Sequence, residues 1–205
     1  MQTRPFDRGL ILNIVLVMEG LLLLVATAWC YFAGIELAPL LILNRDAALK
    51  GLIVGIGMVA FSFSILGLSN IIPKSNDNFI LNWIANLKEI ALSELAPMFR
   101  GTNAIDIALV AITSGFCEEI FFRGVLQHEM QIWLTSVIFG LFHMPTMRHL
   151  PYGIWAFAAG FIFGSLLNHT HSLWAPIVAH GVNNFIVLMY FRYFLKPKAP
   201  DGNAT

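Results

Sequence analysis

Charge is what this sequence has least of: 12 Lys plus Arg and 12 Asp plus Glu among 205 residues, 12% in all, with no net charge. A soluble domain carries about 25% charged residues, whereas here 58% of residues are hydrophobic and the mean hydropathy is +0.74. The composition is that of a polytopic membrane protein. No basic patch with interleaved aromatics is present, which excludes nucleic acid as a partner. Cysteine is scarce too. Cys30 and Cys117 both lie in apolar segments, and two such thiols make neither a disulfide framework nor a zinc ligand set. Cys117 has no adjacent His and is read as a packing residue rather than a nucleophile. Internal repeats and long hydrophilic stretches are missing, so residues 1–205 are expected to form a single integral membrane domain.

What is abundant is apolar sequence of spanning length. A hydrocarbon core about 30 Å thick takes about 20 apolar residues as helix. That measure predicts an all-α transmembrane bundle with spans near 10–33, 50–72, 103–128, 131–145, 152–169 and 173–195. The N-terminal run resembles a signal peptide, with Arg4, Arg8 and the triplet Ala26-Thr27-Ala28. It is longer than an h-region of about 7–15 residues and is read as an uncleaved first span. Residues 79–97 differ. Ile80, Ile84, Leu87, Ala91 and Leu95 recur at helical spacing opposite Asn82, Asn86, Lys88, Glu89 and Glu94, the pattern of an amphipathic helix lying along the membrane surface. The expected organisation is therefore two spans plus this helix in 1–102, then a core in 103–190.

Six spans place Arg4, Arg8, Lys74, Lys88, Arg100, Arg148, Arg192, Lys196 and Lys198 on one side, and only Arg45 and Lys50 on the other. This positive-inside bias predicts cytoplasmic termini, with the plasma membrane as the expected location. The lipid bilayer is thus one partner, and no residue pattern specifies an oligomeric state.

Against this background Glu118, Glu119 and Arg123 stand within an otherwise membrane-like stretch. Each ionised side chain at the centre of a bilayer helix costs at least about 2.5–3.5 kcal/mol, which marks a working polar site. Glu119 and Arg123 are four apart and share a helix face, so they are expected to pair. Glu118 is turned about 100° away and stays free to act. His180 and Asn184 are also four apart, with Asn183 expected to face elsewhere, and His143 closes a helix that carries Phe139. Helical rise puts Glu118, His143, His180 and Asn184 about 15, 18, 10 and 16 Å from the non-cytoplasmic ends of their spans. Three helices thus deliver polar groups to one level. A carboxylate with apolar neighbours is a stronger base. Glu118 and His143 are expected to hold and deprotonate a water, while His180 and Asn184 stabilise an oxyanion. Together these roles describe hydrolysis of a carbonyl compound, most simply a peptide bond.

Three motifs carry a resemblance. Glu118-Glu119-Ile120-Phe121-Phe122-Arg123, Phe139-Gly140-Leu141-Phe142-His143 and His180-Gly181-Val182-Asn183-Asn184 resemble the Glu-Glu-x-x-x-Arg, Phe-x-x-x-His and His-x-x-x-Asn/Asp motifs of the CPBP family, the CAAX proteases and bacteriocin-processing (Abi) enzymes. The resemblance covers roughly 103–190. It implies an intramembrane endopeptidase acting on a membrane-associated protein or peptide, with Glu118 and His143 on the water, His180 and Asn184 at the oxyanion, and Glu119, Arg123 and Phe139 in support. It implies no cofactor in its glutamate form. A zinc form, with Glu118, His143 and His180 as ligands, is the alternative; the absence of His-Glu-x-x-His and the poor ligand quality of Asn184 favour the metal-free reading.

Two readings from other classes compete. A proton-coupled transporter would need Glu19 or Asp106 to extend a polar path. Glu19 is expected to face other helices or water, and Asp106 to reach water near its helix end. A non-catalytic membrane scaffold or immunity protein would not need every motif side chain intact, as they are here.

Overall fold

The computed structural model describes residues 7–70 and 78–195. Arg4, Lys74, Lys196 and Lys198 of the charge count, and the last two residues of the expected 50–72 span, lie outside them. The described residues are helical, with no strand among them. In chain order the helices are α1 (Arg8–Ala33), α2 (Ala38–Leu41), α3 (Arg45–Leu68), α4 (Phe79–Ile90), α5 (Ala96–Met98), α6 (Ala104–Glu119), α7 (Gln127–Phe142), α8 (Leu150–Thr170) and α9 (Trp174–Tyr193). A π-helical turn, Ala91–Leu95, joins α4 to α5, and a second, Ile120–Leu126, joins α6 to α7. Four helical segments are long and apolar enough to cross a membrane: Arg8–Ala33, Arg45–Leu68, Met147–Thr170 and Trp174–Tyr193.

The helix starts are written locally. Asp7, Asn44, Asn78 and Asn103 accept hydrogen bonds from the first-turn amides of α1, α3, α4 and α6, satisfying donors that have no partner inside the helix. At α6 the cap is reciprocal, because the Asp106 carboxylate accepts from the Asn103 amide. That carboxylate also receives Arg8 Nε at 2.6 Å and Nη2 at 2.7 Å. Asp106 is buried as a result. It does not reach water as the sequence suggested; the fold spends it on tying the start of α1 to the start of α6.

The segments expected as spans near 103–128 and 131–145 form α6, the π-turn and α7. The break between them is a single residue, Gln131, with φ 67° and ψ 163°. A non-glycine residue at positive φ is uncommon, and this one interrupts the helix where the sequence placed a loop. The amphipathic segment is helical from Phe79 through Met98. Ile84, Ile90 and Ala91 are buried, whereas Ile80, counted with the apolar face, is exposed.

Close approach of backbones organises the rest. A Cβ built on Gly51 would lie 2.2 Å from the Ala175 carbonyl oxygen, and one on Gly55 would lie 2.8 Å from that of Ala179. Two glycines four apart on α3 therefore seat against two alanines four apart on α9, the small-residue packing that brings membrane helices together. Gly51→Ala is expected to force these helices apart and destabilise the fold by about 1–3 kcal/mol. Gly57→Ala on the same helix meets nothing within 4 Å and should be neutral or stabilising. Unfolding titrations of the two variants in one detergent check the contrast.

Candidate active site

The polar residues are assembled by α6, α7, α8 and α9. The Glu119 carboxylate, fully buried, faces the equally buried Arg123 guanidinium, with Nε 3.2 Å from Oε2 and Nη1 3.3 Å from Oε1. Arg123 also donates from Nη2 to the Gly160 carbonyl at 2.9 Å, and its guanidinium carbon lies 4.4 Å from the centre of the Phe139 ring. The expected pair is present, and it does more than neutralise charge. His180 Nδ1 donates to Glu119 Oε1 at 2.8 Å, while the imidazole stacks on Phe163 with ring centres 4.9 Å apart. Glu119 thus fixes an arginine on its own helix and a histidine 61 residues away. The spacing of the motifs had paired it only with the arginine.

Glu118, one residue earlier, turns the other way. It lines a cavity of about 310 Å³ with His143, Tyr152, Asn183, Asn184 and Glu19, among apolar walls from α3, the α4–α5 segment and α9. His143 Nε2 lies 3.9 Å from Glu118 Oε2. The other ring nitrogen, Nδ1, is 2.8 Å from the Phe139 carbonyl oxygen. A carbonyl only accepts, so Nδ1 carries the proton and Nε2 presents its lone pair to the cavity in the neutral ring. A single water about 2.8 Å from both groups fits over a 3.9 Å separation. Held by two acceptors, it would use both hydrogens and leave its oxygen lone pairs free.

Asn184 donates from Nδ2 to Ser114 Oγ at 3.0 Å, which orients its amide at the same cavity. Asn183, expected to face elsewhere, also lines the cavity and sits 3.4 Å from the Asn184 oxygen. His180 lies behind, held by Glu119, rather than among the residues lining the cavity. This position bears on the zinc alternative: His180 does not line the cavity that Glu118 and His143 share, and no three His, Cys, Asp or Glu side chains among the described residues are grouped to hold a metal. Glu118, His143 and His180 as placed do not fit a three-ligand zinc site.

Residues 100–186 match the family model of the type II CAAX prenyl endopeptidase Rce1-like proteins. This segment resembles an Rce1-like domain. Two proteins of Bacillus subtilis (strain 168) are similar to part of the chain. "Uncharacterized protein YpbD" is 29% identical over 96 residues, covering 47% of this chain and 51% of that protein. "Putative membrane peptidase YdiL" is 35% identical over 92 residues, covering 40% of this chain and 36% of that protein. The chain therefore spans about half the length of the first relative and about a third of the second. No solved structure matches it. All seven residues singled out from the sequence fall inside the matched segment.

Sequence reasoning missed four contributors. Ser114 stands one helical turn before Glu118, and that spacing could have flagged it. Phe163 and Tyr152, on α8, carry no signal beyond aromaticity. Glu19 was noticed as an oddity on an apolar helix, but nothing in the order of residues tied it to Glu118.

Proposed function

We propose that this chain is an intramembrane endopeptidase that hydrolyses a peptide bond of a membrane-associated protein or peptide. The observation that carries this reading is the Glu118–His143 pair, 3.9 Å apart on a largely apolar cavity. The substrate carbonyl enters the cavity beside the water that these two groups hold. Glu118 accepts a proton from the water as its oxygen adds to the carbonyl carbon. His143 keeps the water aligned through Nε2, its orientation fixed by the Phe139 carbonyl. The second amide N–H of Asn184 faces the developing oxyanion, and His180, behind the cavity wall, adds the positive charge of its imidazolium form. Glu119 and Arg123 stay outside the chemistry and hold His180 and Phe139 in place. In this reading α6 and α7 cross the membrane inside the bundle, and the α4–α5 segment lies at the surface, where it closes one wall of the cavity.

The transporter reading needed Glu19 or Asp106 to lengthen the polar path; Glu19 reaches the Glu118 cavity, whereas Asp106 is locked to Arg8. The test of the peptidase reading is a comparison of membrane-proteome cleavage products between cells expressing the wild type and Glu118→Ala. Cleavage products should vanish with the carboxylate; products that persist unchanged would refute it. For the metal-free mechanism, activity in purified membranes should survive a strong chelator, and loss that is restored by added zinc would overturn that part.

A further inference from the structure

Glu19 is the one acidic residue in the whole of α1, a helix otherwise built for lipid contact. It lies far outside the matched segment, yet it is half-buried and lines the same cavity as Glu118, His143, Tyr152 and Asn184. The Oε2 atoms of Glu19 and Glu118 are enclosed and have no hydrogen-bond partner among the described residues. The nearby arginines are committed elsewhere, Arg8 to Asp106 and Arg123 to Glu119 and the Gly160 carbonyl. Burial of two unpartnered carboxyls on one largely apolar cavity disfavours two charges there, and Glu19 is the one that holds a proton. Such a pair is worth its burial only where the proton has a use.

We infer that Glu19 is a second catalytic carboxyl, which holds a proton at the cavity and delivers it to the leaving amine. The inference rests on the peptidase reading and completes it. Ionised Glu118 takes one proton from water, and the remaining hydroxide oxygen bonds to the carbonyl carbon. As the C–N bond breaks, protonated Glu19 gives its proton to the amine nitrogen. The proton on Glu118 then passes to Glu19 through water in the cavity, which restores the starting state. One water is consumed, and the products are a carboxylic acid and an amine. Glu118 alone would have to serve as base and then travel to the nitrogen; a second carboxyl on the facing helix removes that motion.

The test uses membranes containing the full chain, with the host membrane proteome as probe and the rate of appearance of Glu118-dependent cleavage products as readout. Glu19→Gln keeps the side chain's shape and is expected to lower that rate about 100-fold. Glu19→Asp, which retains an acid, should recover part of it. The wild-type rate should fall at alkaline pH as Glu19 loses its proton, and Glu19→Gln should abolish that limb. The other titratable groups facing Glu19 are Cys117 on α6, His180 on α9, and His143 and Tyr152 across the cavity; all remain in the variant, so a limb due to them would persist. Rates and pH profile unchanged in Glu19→Gln would overturn this inference and leave the peptidase reading intact. Equal loss of rate and of thermal stability in both Glu19 variants would also overturn it, as a packing role. Absence of any Glu118-dependent product would overturn both readings.

Discussion

Glu118→Gln is expected to reduce the rate of product formation by about 10²–10⁴-fold, the range that a positioned general base contributes. The folded state should barely change. Glu118 makes no hydrogen bond or salt bridge that holds two helices, and its 3.9 Å approach to His143 Nε2 is too long for a direct hydrogen bond. The amide of Gln occupies the same space but cannot take a proton from water. Thermal unfolding of the purified variant should therefore match the wild type while its activity is lost. A variant that unfolds many degrees earlier would show that Glu118 is part of a structural network instead.

Glu119→Gln should behave in the opposite way. It leaves the Arg123 guanidinium, 1% exposed, without its carboxylate. Breaking a buried pair from one side costs about 3–5 kcal/mol, because the remaining charge has no water to turn to. The Gly160 carbonyl and the Phe139 ring still touch Arg123, but neither carries a negative charge. His180 loses its anchor in the same step. Glu119→Gln/Arg123→Gln should be less destabilised than the two single variants summed, since it removes both charges. An internal control is available on α3, where Asp46 and Lys50 are also four apart, at 2.8 Å, but largely exposed. Disrupting that pair should change stability by only about 0.3–0.5 kcal/mol. Equilibrium unfolding of all four variants, measured in one detergent, separates burial from spacing as the source of the effect. Glu119→Gln with wild-type stability would contradict the account.

The same pair shows where sequence reading succeeds and where it stops. Four-residue spacing on a helix fixes that Glu119 and Arg123 can meet, because helical geometry is local. It fixes equally that Glu118 points away from them. The third member, His180, comes from another helix 61 positions on, and no local rule selects Glu119 over Glu118 as its partner. The motifs suggested His180 and Asn184 as twin oxyanion donors on one face. In the fold their faces meet different surroundings, Glu119 and Phe163 for the one, Ser114 and the open cavity for the other. Asp106 illustrates the same limit, because its depth was legible but the arrival of Arg8 from the start of α1 was not.

From the order of residues alone came the membrane class, the helical architecture and a short set of polar candidates within apolar helices, since each depends on composition, on a period of 3.6 residues or on neighbours within one turn. Only the packing of helices decided which carboxylate is tied up and which is free, that the cavity brings Glu118 to His143, and that α1 contributes Glu19 to it. The reason is physical. Contacts between helices depend on where backbones can approach, as Gly51 and Gly55 let α3 settle against α9, and that is a property of whole surfaces fitting together.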